Sequence, residues 1–392
     1  MMHLFLNGLA ASAGGGLTYL RNVVPHLSAR GDVRTTLAVS PSLRQELGDQ
    51  PNVSFIEMES PAGAARRFWQ EQTALPRLIR RSGSDVLISA GNFALRKSPV
   101  PQILLSRNSL YTSRDFFRDL RARGDYALWL DTRIKGMFAR RSVRWADCTV
   151  APSQAFAEEL CRWTGIRVST IHHGFDPETF FRDNAPLPAN IQQKLHSAKD
   201  ALRLLYVSHY NYYRNFETLL RAIPLLRERL GASKVKLLLT CKLKSEENPG
   251  SYRAEDASAL LGQLGLADQV VELGSIPHHL LHHVYRACDI YVTPAYTESF
   301  AHPLVEAMAC GLPVIASDLP VHREICRDAA VYFPCFSPEL LAGCVLQVCQ
   351  PSAMGQQLAD SGLKRSRDFS WNAHIGQIIN LAQELMTKGP KK

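Results

Sequence analysis

No apolar run in this chain approaches the ~20 residues that a membrane-spanning helix needs, so the sequence does not read as an integral membrane protein. The nine cysteines, at positions 148, 161, 241, 288, 310, 326, 335, 344 and 349, contain no C-x-x-C pair and mostly sit among apolar residues. That odd count without a disulfide framework argues for reduced, buried thiols in a cytosolic protein. The opening Met1-Met2-His3-Leu4-Phe5-Leu6-Asn7 lacks a basic start and breaks too soon for a signal peptide. It reads as a first strand. Neither G-x-x-x-x-G-K-S/T nor G-x-G-x-x-G occurs, no internal repeat or low-complexity tract interrupts the chain, and no nucleic-acid reader motif accompanies the charge.

What is present is length enough, at 392 residues, for two domains with cores of their own. The formal charge of +9 is uneven: residues 1–182 hold 24 Lys and Arg against 16 Asp and Glu, and the remainder is nearly balanced. A basic first half suggests an anionic partner there, for which anionic lipid or a phosphate-bearing acceptor fits better than nucleic acid. Strands are expected near 2–7, 34–40, 52–57, 85–90, 101–106, 147–151 and 168–172, with helices between most of them. A second series lies at 202–208, 235–240, 270–273, 290–293, 314–317 and 330–333. Such alternation predicts parallel, doubly wound sheets.

The most informative stretch runs from Thr297 to Ile315. The apolar Asp289–Pro294 predicts a buried strand, Pro303 suits the first position of a helix, and Gly311 ends that helix before Pro313–Ser317 opens another strand. Free amides at such a helix start, aided by its dipole, favour an anion such as phosphate. Glu306 is one turn in, and Glu298 lies at the carboxyl end of its strand, where open α/β sheets bind ligands. Phosphate beside two hydroxyl-binding acids suggests a sugar nucleotide.

Glu298 and Glu306, with Ser299, Phe300, Ala301, His302, Leu304, Val305 and the Gly-x-Pro-Val-Ile that follows, resemble the E-x7-E signature of retaining GT-B glycosyltransferases, specifically glycosyltransferase family 4. The resemblance implies that Glu306 binds the nucleotide ribose and Glu298 holds the donor sugar. It implies a GT-B fold, with two Rossmann-like domains facing across a cleft and a C-terminal helix, beginning near Phe369-Ser370-Trp371, that crosses back to the first domain. Expected divisions are an acceptor domain at 1–182, a linker at 183–200, a donor domain at 201–368 and the last helix and tail at 369–392. Relatives clamp the diphosphate with two cations; aligned here, Arg214 takes one place and His209 falls near the other. Guanidinium suits phosphate well, whereas His209 is charged only when protonated.

In the first half, Gly14-Gly15-Gly16 precede a helix, and in the family a similar loop faces the donor phosphates, implicating Gly15 and Gly16; a plain tight turn is the competing reading. Many relatives place a His where this chain has Arg107-Asn108, so these are candidates on the acceptor side, although Asn108 could equally cap a helix. Residues 113–145 interleave Arg with Phe116, Phe117, Tyr126, Trp129, Phe138 and Trp145, and residues 62–81, with Arg66, Arg67, Phe68, Trp69, Arg77, Arg80 and Arg81, add to the same surface. They predict either contact with anionic membrane or an ordinary amphipathic helix pair. His172-His173 make a poor metal pair, because adjacent strand residues point to opposite faces. The His pairs of 278–283 could hold zinc, but a solvated helix is the simpler reading.

The expected activity is transfer of a hexose from a nucleotide diphosphate sugar to the hydroxyl of a glycan or lipid-linked acceptor, with retention. The absence of D-x-D agrees with a reaction that needs neither metal nor cofactor. Another GT-B enzyme class, an epimerase or hydrolase, and a non-catalytic sugar-nucleotide binder remain alternatives.

Overall fold

In the computed structural model, which describes residues 1–11, 14–59, 63–231, 234–350 and 353–388, the expected strands form within a residue or two of their predicted limits. They are β1 (Met2–Asn7), β2 (Val33–Val39), β3 (Val53–Glu57), β4 (Val86–Ser89), β5 (Gln102–Leu105), β6 (Cys148–Ala151) and β7 (Ser169–Thr170), then β8 (Leu202–Tyr206), β9 (Val235–Leu239), β10 (Val270–Glu272), β11 (Ile290–Thr293), β12 (Val314–Ser317) and β13 (Ala330–Phe333). The first seven make one sheet, in the order β3-β2-β1-β4-β5-β6-β7, and the last six a second, β10-β9-β8-β11-β12-β13. Every pairing is parallel. Helices therefore cover both faces, which is why β8 and β11 are apolar along most of their length and do not alternate. This is the GT-B fold of two Rossmann-like domains.

In each sheet the chain works outward from a central strand, then returns to that strand's other side. The reversal falls between β1 and β4 in the first sheet and between β8 and β11 in the second. Loops leaving the carboxyl ends of such a strand pair diverge and open a crevice, so ligands of doubly wound sheets settle there.

The chain divides into two compact units, and the division departs from the expected one. Unit one comprises Met1–Thr112, Trp129–Gly174 and Ser370–Lys392; unit two comprises Ser113–Leu128 and Phe175–Phe369. The expected boundary at 182 misses the excursion of Ser113–Leu128 into the second unit. Its helix Arg114–Ala122 is capped by Ser113, whose hydroxyl accepts the Phe116 amide at 3.2 Å, and buries Phe116 and Leu120. Arg123 donates to Asp119 at 2.8 Å and to Glu217 at 2.9 Å, and the Tyr296 hydroxyl donates to Asp119 at 2.7 Å. The partners that hold this segment, Glu217 and Tyr296, lie 94 and 177 residues downstream, beyond the reach of local pattern. The expected linker at 183–200 also differs: it contains the helix Ala189–Ser197, with Ile191 buried and Lys194 donating to the Glu272 carbonyl at 2.5 Å.

The last helix, Trp371–Lys388, belongs to unit one, as the resemblance implies. Trp371, Ile375, Ile378, Ile379, Ala382 and Leu385 recur at helical spacing and join the core of β1, β2, β4 and the helix Gly14–Ser28. Gly174 fixes its entry, because a β-carbon there would lie 2.0 Å from the Trp371 backbone nitrogen. Beside it Tyr19 hydrogen-bonds His374 at 3.0 Å, and the His173 ring packs 5.5 Å from Trp371, a structural duty that accounts for the second member of the His172-His173 pair.

Candidate functional site in the second unit

Two loops leave the carboxyl ends of β8 and β11, and each carries residues singled out in the sequence. The first, 207–215, is held by side chains. Thr240 accepts the Ser208 amide at 3.1 Å, Asn248 accepts the Tyr210 amide at 2.8 Å, and Tyr206 donates to the Arg214 carbonyl at 2.8 Å. Asn215 then takes a left-handed conformation, φ 54°, to start the helix Phe216–Leu230. Such a φ suits Asn among non-glycine residues. Its side chain reaches the Pro294 carbonyl at 3.0 Å, and the Tyr296 amide bonds the Tyr213 carbonyl at 3.1 Å, so the two loops are tied together.

Across this tie Arg214 meets Glu298 in an ion pair, with both side chains largely buried. Each charge is neutralised by the other, which offsets the cost of taking both out of water. The Arg214 guanidinium also lies 5.0 Å over the Tyr213 ring. His209 is exposed on the same loop. Partial loss of water from its ring, and then the Arg214 charge, push its pKa below the ordinary 6.5. At neutral pH the ring carries no charge.

The loop after β11 ends at Ala301, which adopts φ 66° and precedes the helix His302–Ala309. Pro303 therefore occupies the second helical position, not the first, and the Leu304 amide bonds the Ala301 carbonyl at 3.0 Å. That amide is thus spent within the chain, which reduces the donors expected of this helix start. Phe300 is buried, with its ring 4.8 Å from His302 and 5.5 Å from Phe369. Leu304 and Val305 are core residues, and Ser299 stands half-buried beside Glu298.

Glu306 is buried, with one carboxylate oxygen 3.0 Å from His278 Nε2 and the other accepting the Tyr285 hydroxyl at 2.9 Å. Burial would raise its pKa. The His278 hydrogen bond and charge, then the His302 charge and the Tyr285 hydroxyl, outweigh that and hold it below the usual carboxylate value. An ionised carboxylate accepts only. Among the described residues no group of three His, Cys, Asp or Glu side chains is placed to hold a metal ion. The 278–283 segment is also not the solvated helix expected: His282 is wholly buried, with its ring 5.9 Å from Phe180 and 5.7 Å from Phe181.

Known proteins resemble the chain along most of its length. The model for glycosyl transferases group 1 matches residues 189–365, and that for glycosyltransferase family 4 matches residues 13–179. Together they take in most of the chain. Each half of the chain is thus similar to a glycosyltransferase family, the first half to family 4. It is 28% identical over 244 residues to a D-inositol 3-phosphate glycosyltransferase of Thermomonospora curvata, a match covering 60% of this chain and 56% of that protein. The chain thus spans a little over half the length of such curated relatives. Sucrose-phosphate synthase from Thermosynechococcus elongatus superposes with TM-score 0.78 at 20% identity, covering 99% of this chain and 100% of that one. HepE of Anabaena, solved in complex with UDP-glucose, gives TM-score 0.72 at 16% identity over 98% and 100% of the two chains.

The family 4 candidates in the first unit have different surroundings. Gly15 and Gly16 are not a loop before a helix but part of the first turn of Gly14–Ser28. No atom lies within 4 Å of a β-carbon built at Gly15, whereas one at Gly16 would lie 3.4 Å from Ala11. Arg107 donates to the Gly15 carbonyl at 3.1 Å and to the Ala90 carbonyl, and lies 4.6 Å over the Tyr19 ring. Burial brings its pKa down to about 10, with Tyr19 opposing, so it stays charged. Asn108 accepts the Leu110 amide at 3.0 Å and caps the short turn Ser109–Tyr111, the second of its two sequence readings.

Sequence reasoning missed Asn215, Tyr285 and the attachment of His278 to Glu306. Asn215 carried a signal, since a polar residue before a helix-forming run is a cap or turn candidate. The Tyr285 and His278 contacts span 21 and 28 residues of sequence, and no local pattern encodes them.

Proposed function

We propose that this chain transfers a hexose from a nucleotide diphosphate sugar to an acceptor hydroxyl with retention at the anomeric carbon, in assembly of a surface polysaccharide, lipopolysaccharide or glycolipid. The observation that carries the reading is the joining of Arg214 to Glu298, with Glu306 on the following helix, at the switch point of β8 and β11. By resemblance Glu306 receives the ribose and Glu298 the donor sugar. Arg214 exchanges its bond to Glu298 for the diphosphate and offsets charge growing there as the sugar departs. His209 adds a hydrogen bond and becomes a second cation when a bound phosphate raises its pKa. No carboxylate is assigned as nucleophile; the leaving phosphate takes the acceptor's proton on the same face. The reaction is proposed to run without a metal, its charge met by Arg214 and backbone dipoles, and to keep its rate in EDTA.

The test begins with thermal shifts against UDP, GDP, ADP and their sugars, since a ligand at a hundredfold its dissociation constant adds ~2.7 kcal/mol. The selected donor is then incubated with and without glycan or lipid-linked acceptors, and the product's anomeric configuration read by NMR. Stabilisation by a nucleotide and an α-linked product from an α-linked donor support the reading. Rapid donor turnover without acceptor would favour an epimerase or hydrolase instead. Binding with no turnover under any acceptor would leave a non-catalytic binder.

The first unit also suggests where an acceptor in a membrane is met. The helices Ala64–Ser82 and Tyr126–Trp145 pack through Phe68, whose ring lies 5.2 Å from Phe138 and 6.5 Å from Trp145. The two helices expose Trp69 and Met137, at 67% and 55%, and also carry the exposed Arg66, Arg77, Arg80, Arg133, Arg140, Arg141 and Arg144. Exposed apolar side chains on arginine-rich helices suit an anionic bilayer surface. Sedimentation with phosphatidylglycerol vesicles but not phosphatidylcholine vesicles, lost on Trp69→Ala with Met137→Ala, supports that contact. Equal sedimentation with both would remove it.

A further inference from the structure

The two groups that hold the Glu306 carboxylate are not equivalent. Tyr285 is fully buried, its hydroxyl donates to the carboxylate at 2.9 Å and lies 3.3 Å from the Pro303 carbonyl, and burial keeps it protonated. It cannot leave without disrupting the core. His278 is half exposed and stands on a single turn, His278–Leu280, opened by Pro277. Its ring can rotate into water by giving up the bond to Glu306 and its packing against the Phe180 ring, 5.3 Å away. An ionised carboxylate has no hydrogen to give, so His278 Nε2 supplies the one between them.

A ribose presents two neighbouring hydroxyls, both donors to a carboxylate. Of the two Glu306 oxygens, one is committed to an immovable tyrosine and the other to a movable histidine. We propose that His278 is a removable cap on Glu306: it occupies the carboxylate oxygen that a nucleotide ribose takes, and is displaced when the nucleotide binds. This rests on the reading of Glu306 as the ribose-binding acid. His278 is then a positioning residue that keeps a buried charge satisfied in the empty site and lowers affinity by the bond that must be broken. An empty site without the cap would leave a carboxylate oxygen short of a partner.

The experiment is calorimetric titration of UDP, GDP and ADP into the full chain as wild type, His278→Ala, His278→Gln and Glu306→Gln. For whichever nucleotide binds, His278→Ala is expected to bind roughly three- to tenfold tighter, the worth of one partly solvent-screened hydrogen bond to a charged group. His278→Gln, which keeps a donor on that side chain, returns affinity toward wild type. The 2′,3′-dideoxy form of the same nucleotide gains nothing from His278→Ala. In turnover the change falls on KM for the donor and not on kcat. Unchanged or weaker binding by His278→Ala, or an equal gain with the dideoxy form, overturns the cap. If Glu306→Gln binds like wild type, the ribose reading itself fails and the cap falls with it. If Glu306→Gln weakens binding while His278→Ala does not tighten it, the cap alone is wrong.

Discussion

Two partly buried arginines, one in each unit, show how the same side chain can be committed or held in readiness. Arg107 donates to the carbonyls of Gly15 and Ala90 and stacks on Tyr19. Its partners are main chain and core, so it pins the start of the Gly14–Ser28 helix to the end of β4. Arg214 meets a carboxylate on a neighbouring loop. A carbonyl fixed in a fold cannot be exchanged for a ligand, but one ionic partner can be traded for another of the same sign. The distinguishing property is therefore the kind of group each arginine faces, more than its burial.

The largest effect expected from this difference is on turnover. Arg214→Ala or Glu298→Ala should lower kcat by roughly a hundred- to a thousandfold, the range found when one stabilising group is removed from a transition state. The melting temperature should move by no more than a few degrees. A large melting shift with little change in turnover would make the pair structural and erase the contrast with Arg107.

Arg107→Ala should behave in the opposite way, costing about 2–4 kcal/mol of stability for the lost hydrogen bonds and ring contact, as read by denaturant unfolding. Nucleotide affinity should be nearly unchanged. A selective loss of acceptor affinity at normal stability would return Arg107 to the acceptor side.

His322, wholly buried with its Nδ1 2.8 Å from the Ser317 carbonyl, sharpens the picture of the second unit. Burial lowers its pKa from 6.5 to about 4, and the Arg214 charge acts in the same direction. The unfolded chain takes up a proton near pH 6.5, but the folded chain resists until about 4. Stability is therefore full above pH 6.5 and falls as the pH drops toward 4, by roughly 3 kcal/mol for this group. His322→Asn should flatten that part of the curve. An unaltered profile would mean that the ring is hydrated in solution.

Ala301 carries the smallest expected change. At φ 66° a methyl group is tolerated but costs something, which glycine avoids at the expense of a freer unfolded chain. Ala301→Gly should therefore shift stability by less than about 1 kcal/mol, and Ala301→Val should destabilise by about 2 kcal/mol or more. Indifference to valine would show that the loop after β11 relaxes readily.

The strands, the two parallel sheets and the order strand–loop–helix–strand around Glu298 and Glu306 were legible because each depends on neighbours in sequence. Apolar runs, Pro303, Gly311 and the eight-residue spacing of the two acids are local signals. The pairing of Arg214 with Glu298 was not legible, since it depends on β8 and β11 lying side by side with Leu204 against Ile290. His278 misled for a related reason: viewed along the chain it has histidine neighbours and suggests zinc or solvent, yet its partner is a glutamate on another helix. Gly15 and Gly16 were read as loop because glycine rarely opens a helix, whereas here the turn is secured from outside by Arg107.

The interleaved course of the chain has a consequence for how the molecule is made. Unit one takes in Met1–Thr112 and Trp129–Gly174 but also Ser370–Lys392, so its core stays open until that last segment has been made. Unit two in turn needs Ser113–Leu128, because Arg123 from that segment neutralises Glu217, a nearly buried carboxylate. A fragment started at residue 201 would leave that charge uncompensated, and one stopped before 370 would expose the apolar seat of the last helix. Neither half is therefore expected to fold when expressed alone, and during translation the first-made unit waits, incomplete, for the helix Trp371–Lys388.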